Sequence, residues 1–165
     1  MTRDEFWRLI DRSRRGAEDT DEQCEKLRSS LQELSIPDIV DFDHQFHQRV
    51  NDAFRWDLWG AAYMINGGCS DDGFDYFLGW LIAQGRKYYE AALADPEAAG
   101  KRVEPGEEVE CEDIWYIAAA AYEAKTGKSD FDTLAKPVKR KLTGKKAWDE
   151  DTVDEHYPRL AKKFG

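Results

Sequence analysis

Apolar residues recur at spacings of three and four along most of this chain, and no segment alternates. Cys24, Leu27, Leu31 and Leu34 form one such stripe; Ile39, Phe42, Phe46, Val50 and Phe54 form the next. An α-helix turns once per about 3.6 residues, so each set falls on one face, whereas a half-buried strand would need alternation. The fold class that follows is all-α: one compact multi-helix domain over residues 1–165, of about six to eight helices and not a simple four-helix bundle. Start and stop signals agree. Ser35 followed by Pro37 suits a helix start, Asp19 or Thr20 can cap the segment before it, and Phe6, Trp7 and Ile10 mark a first amphipathic helix ending near Gly16.

The middle of the chain is denser. Trp56 to Ile65 is apolar on nearly every side and closes with Asn66-Gly67-Gly68, which predicts a buried helix with a glycine stop. Ser70 or Asp72 can cap the next helix, lined by Phe74, Phe77, Leu78, Leu81 and Ile82 and ended by Gly85. A short helix from Tyr88 to Ala94 follows. Residues 95–112, rich in Pro, Gly and Glu, read as a solvated loop and the best candidate for mobility. Ile114 to Lys125 returns to helix formers, and a last helix is expected near Asp149 to Lys162.

Composition limits the function classes. The net charge of −10 on 165 residues makes the surface acidic and disfavours general nucleic-acid binding. Basic charge gathers between Lys125 and Lys146, where seven Lys and Arg140 stand against Asp130 and Asp132. A solvated tail balancing an acidic body is the simplest reading of that stretch; a phosphate or polyanion contact is the sharper one. The mixed acidic and aromatic start, Met1 to Trp7, lacks the pattern of a signal peptide, and no window is apolar enough to span a bilayer. A cytoplasmic protein away from membranes is expected. Cys24, Cys69 and Cys111 are scattered without metal-site spacing and read as free thiols.

Few residues could carry chemistry. The polar run Asn66, Cys69, Ser70, Asp71, Asp72 and Asp75 lies between two apolar helices. Its carboxylates could supply oxygens to a hard cation, or its Ser and Asp could simply serve a helix start. Cys69 sits where a thiolate would gain from free N–H groups, but Asp71 and Asp72 oppose that ionisation. Arg55, Asp57 and Arg86 edge the apolar helices as ion pairs or substrate clamps. Asp43, His44 and His47 share a helix face and form half a metal site at most, with the alternative of a plain polar face. The set Trp56, Trp59, Trp80 and Trp115 reads as core, or as a pocket lining. Phosphate loops, nucleophile elbows and zinc-protease motifs are absent, and no cofactor is implied.

The run RWDLWGAAYMINGGCSDDGFDYFLGWLIAQGR, Arg55 to Arg86, resembles the signature of the bacterial family called domain of unknown function 4240 (DUF4240). The opening DEFWRLID, Asp4 to Asp11, and the pattern of Phe42, Asp43 and Phe46 are similar to it too. The resemblance implies a family-like core over about 1–125 and a basic C-terminal extension over 126–165. It implies no established activity; some members are fused to WGR domains, modules linked to nucleic-acid-dependent or regulatory proteins. The resulting expectation is a non-catalytic regulatory or protein-interaction module with a protein partner. The alternative is an enzyme or a small-ligand or metal-binding domain built on the Asn66–Asp75 loop. Polyanion contact through Lys125–Lys146 ranks behind both.

Overall fold

The computed structural model describes all of residues 1–165, and the chain is mainly helical, with no strand. Ten helices follow in order: α1 (Arg3–Arg14), α2 (Thr20–Gln32), α3 (Ile36–Ala53), α4 (Trp56–Asn66), α5 (Asp71–Ala83), α6 (Arg86–Ala94), α7 (Ile117–Thr126), α8 (Phe131–Leu134), α9 (Val153–His156) and α10 (Pro158–Phe164). The two shortest, α8 and α9, are single turns, so the six to eight helices expected from periodicity match the longer ones. Two 3-10 turns, Pro96–Gly100 and Asp113–Tyr116, complete the set.

Local chemistry explains most boundaries. Thr2 and Glu5 cap α1 reciprocally, the Asp19 carboxylate accepts from Glu22 N at 2.8 Å, and Ser35 Oγ accepts from Asp38 N at 3.3 Å. These bonds satisfy N–H groups that a helix start leaves free. Gly67 and Gly127 end α4 and α7 in the left-handed conformation, at φ of 67° and 72°. One boundary departs from expectation. The helix predicted over Asp149 to Lys162 divides into α9 and α10, because Pro158 disfavours helical geometry at Tyr157, which sits at φ −128° and ψ 64°.

The stripes read from sequence become one core. Ile39, Phe42, Phe46 and Val50 of α3 are essentially solvent-free, as are Leu27 and Leu31 of α2 and Phe6, Trp7 and Ile10 of α1. Helix α1 packs against α2, α3, α5 and α6, so it sits at the centre of the N-terminal half. Helix α7 lies across α2 and α3, and α5 lies against α3. Buried side-chain polar groups are matched except Trp7 Nε1, which has no partner: Gln23 Nε2 donates to Ala83 O at 2.8 Å, closing the end of α5, and Tyr89 Oη donates to Arg49 O at 2.6 Å. Cys24 and Cys111 are free buried thiols whose sulfurs lie 3.6 Å apart, and the hydrogen bond between them together with burial raises Cys24.

Segment 95–112 is not the solvated loop that its composition suggests. Ala99, Val103, Val109 and Cys111 are buried, each spaced so that a small apolar side chain turns inward while its charged neighbours stay out. Cys111 N donates to Tyr76 O at 2.9 Å and Tyr88 Oη donates to Ala99 O at 2.7 Å. Helices α5 and α6 therefore hold both ends of the segment.

The basic C-terminal region is likewise bound to the body. Thr143 N donates to Phe54 O at 3.0 Å, Trp56 N donates to Thr143 O at 3.1 Å, and Trp148 Nε1 donates to Trp56 O at 2.7 Å. Phe131, Trp148, Val153, Tyr157 and Leu160 all reach the core. Residues 135–152 form a strap across the α3–α4 junction. Beneath it runs a column of parallel rings: Trp56 on Trp59 (centroids 5.2 Å apart, 8° between planes), Trp59 on Phe74 (5.0 Å, 11°) and Phe74 on Phe54 (5.7 Å, 22°). Lys146 Nζ covers the Trp56 end at 5.1 Å and Arg140 Cζ covers the Phe54 end at 4.6 Å. Two cations of the strap thus close a column of π faces, an attraction that grows as water is excluded.

Candidate functional site

The Asn66–Asp75 turn comes into being because Gly67 and Gly68, at φ of 67° and 130°, reverse the chain between two apolar helices. Its polar side chains then take separate directions. Asn66 grips Val109: its Oδ1 accepts from Val109 N at 2.9 Å and its Nδ2 donates to Val109 O at 3.1 Å. Ser70 caps α5, its Oγ accepting from Gly73 N at 3.1 Å. Asp75 forms a two-pronged ion pair with Arg140, whose Nη2 lies 2.9 Å from Oδ2. Only Asp71 and Asp72 keep exposed carboxylates without a protein partner, both in the first turn of α5 where the helix dipole favours negative charge.

Cys69 lies half-buried beside this turn. Burial, with Asp71 and Asp75 adding to it, pushes the thiol up to about 12, so it stays protonated at neutral pH. A thiol in that state is a poor nucleophile.

The flanking charges are spent in a similar way. Arg55 holds Asp57 through two hydrogen bonds of 2.9 and 2.8 Å and donates to Leu93 O at 2.9 Å, tying the start of α4 to the end of α6. Arg86 pairs with Glu90 at 2.9 Å and with Asp4 at 2.6 Å, joining α6 to α1. The structure therefore keeps Arg55 and Asp57 together but leaves Arg86 engaged elsewhere, with partners of its own. Arg140 and the backbone of Val109 had no signal in sequence, because they meet Asp75 and Asn66 across 65 and 43 residues.

On α3, Asp43 and His47 come together and His44 does not join them. His47 Nε2 lies 3.6 Å from Asp43 Oδ1, with the ring edge-on to Phe46 and Trp115. Burial pushes the Asp43 carboxyl up to about 6, with Asp132 adding to the shift; burial, Arg140 and His44 hold the His47 imidazole below its ordinary value. Nowhere do three or more His, Cys, Asp or Glu side chains gather as a metal-binding set.

The signs of these shifts make a prediction. A raised Asp43 keeps its proton in the folded chain between pH 4 and 6, where the unfolded chain has lost it, so its contribution to stability falls as pH rises through that window. His47 acts oppositely just below its ordinary value, where the unfolded chain holds the extra proton. Asp43→Asn is expected to raise stability at pH 7 by about 2 kcal/mol and to have little effect at pH 4, as read by urea midpoints at the two pH values. Equal midpoint shifts at both would refute the assignment.

With the fold and the turn described, comparison with known proteins gives a family. Residues 1–124 match the family model described as "Protein of unknown function (DUF4240)". The chain belongs to the DUF4240 family. Neither the curated proteins nor the solved structures contain a match to it. The DUF4240 match ends within α7, so the Asn66–Asp75 turn, Arg55 and Arg86 lie inside the family region, while Arg140 and Lys146, which close the aromatic column, lie beyond it. No helix of this DUF4240 chain is long and apolar enough to cross a membrane.

Proposed function

We propose that this DUF4240 chain is a cytoplasmic, non-catalytic binding module that acts through a protein partner. The observation that supports this reading is the use of the Asn66–Asp75 turn: Asn66, Ser70 and Asp75 each hold a backbone or strap group, and they do not converge on a common point. Arg55 with Asp57, and Arg86 with Asp4 and Glu90, support it in the same way, since each arginine joins helices. Tyr116, Leu134 and Val138 add large apolar side chains left in solvent, which suits contact with another protein. The opposing reading, a cation site on the turn, draws on the open carboxylates of Asp71 and Asp72.

Thermal unfolding separates the two. Under the binding-module reading, Ser70→Ala loses about 1 kcal/mol with its cap. Asp71→Asn and Asp72→Asn each lose about 0.5 kcal/mol of dipole interaction. Millimolar Mg²⁺ or Ca²⁺ leaves all four proteins, wild type included, where they were. A melting temperature that rises with either ion in wild type and not in Asp72→Asn would establish the cation site instead.

A further inference from the structure

Several cations of this acidic protein take part in none of its ion pairs, and four of these are Arg14, Arg15, Lys87 and Arg102. They are not dispersed. A cavity of about 630 Å³ between the end of α1 and the start of α6 is lined by all four. A second cavity, of about 560 Å³, opens between the α1–α2 turn and segment 101–110, and Arg14, Arg15, Gln84 and Arg102 line it as well. Shared walls make the two one continuous groove, of a size that holds small molecules.

The groove is shaped by fixed parts. Arg102 lies over the Tyr88 ring at 4.7 Å, and its own N–H donates to Tyr88 Oη at 3.2 Å, so stacking and a hydrogen bond hold it without an acid. Tyr88 is itself buried and fixed to Ala99 O. Burial raises its phenol, and Arg102 and Arg14 act against that rise. Helix α6 starts there at Gly85, whose φ of 95° leaves no room for a side chain against Asp11 and supplies no side-chain cap.

Acids in the basic part of the groove are already occupied. The Asp11 carboxylate accepts from Arg86 N at 3.2 Å, and Glu90 bonds Arg86 and Arg3. At the far end Glu107, Glu108 and Glu110 face the same groove, and beside the α1–α2 turn Glu18 and Asp19 line it too, Asp19 accepting from Glu22 N. An extended polyanion would have to pass them, at a Coulombic penalty, whereas a compact anion would not.

We infer that the Arg14, Arg15, Lys87 and Arg102 groove binds a small phosphorylated ligand, held by guanidinium forks on its phosphate oxygens. Planar guanidinium groups match phosphate oxygens in pairs, and several unpaired cations match a group that carries more than one negative charge. The inference deepens the binding-module reading by giving the module a ligand, and it shares no residue with the Asn66–Asp75 turn; Arg86 alone of the charges singled out in the sequence reaches the groove.

Pyrophosphate is the probe. Titration calorimetry at low ionic strength is expected to show saturable binding of one pyrophosphate per chain, weakening as salt is added. Arg102→Gln and the double variant Arg14→Gln with Arg15→Gln should each weaken it on the order of tenfold or more. Arg12→Gln, an exposed cation of α1 outside the groove, and Asp72→Asn should leave it unchanged. All these side chains are exposed, and circular dichroism will show whether each variant stays folded. Absence of saturable binding by the wild type, or equal affinity in the folded groove variants, overturns the inference. Conversion of pyrophosphate to phosphate, lost with the same substitutions, would uphold the site and overturn the non-catalytic reading.

Discussion

Truncation after Thr126 is expected to lower stability by about 5 kcal/mol or more, as much as many domains possess, and so to abolish the cooperative transition at 37 °C. The family match stops at residue 124, which would suggest that the remainder is dispensable. Packing argues otherwise. Phe131, Trp148, Val153, Tyr157 and Leu160 are at most 7% exposed, and each large apolar side chain taken from water is worth roughly 1.5 to 3 kcal/mol before the cost of ordering the segment. Tyr157 lies directly against Gly60 of α4, with its hydroxyl donating to Asp57 O at 2.6 Å, so its loss uncovers the helix that carries the aromatic column. Lys146 and Arg140 leave with it, and Trp56 and Phe54 face water. Urea unfolding followed by tryptophan fluorescence measures the outcome. A truncated chain with the midpoint and slope of the full chain would show the strap to be an appendage.

Gly79→Ala is expected to cost about 3 kcal/mol, although alanine favours a helix interior over glycine by roughly 1 kcal/mol. Gly79 lies mid-helix in α5, where segment 109–116 crosses. A methyl group there would stand 2.4 Å from Cys111 O, 2.9 Å from Ile114 Cγ2 and 3.0 Å from Trp115 Nε1. The first of these is backbone, anchored by the Cys111 N bond to Tyr76 O, and it cannot step aside as a side-chain end could. The crossing must open, and Cys111, Ile114 and the 3-10 turn behind them move together. Gly73→Ala, whose nearest neighbour would be Ser70 Oγ at 3.2 Å, is the comparison within the same helix and should cost far less. A similar urea midpoint for the two variants would show the crossing to be loose.

Helices were legible because their signals are local. Ser35 with Pro37, Asp19 ahead of α2, and Asn66-Gly67-Gly68 after α4 each act within one turn of the chain, and the apolar stripes of α2 and α3 are a property of spacing alone. Segment 95–112 misled because buried Ala99, Val103, Val109 and Cys111 are few and small among charges, and no regular period connects them. The turn from Asn66 to Asp75 was legible as a place and not as a role. Asn66 finds Val109, and Asp75 finds Arg140, only after α5, α7 and the strap have been set against one another.

Sequence by itself determined that this chain is all-helical, where its long helices begin and end, which faces they bury and that Arg55 to Arg86 marks the DUF4240 family. Tertiary structure decided what the charged residues do. It brought Cys24 to within 3.6 Å of Cys111, turned Arg140 and Lys146 from a basic tail into the two ends of an aromatic column, and gathered Arg14, Arg15, Lys87 and Arg102 around one groove. The physical reason is range: caps, glycine stops and helical periods act over a few residues and are written in order along the chain. An ion pair or an unpartnered cation is defined by neighbours that packing alone supplies.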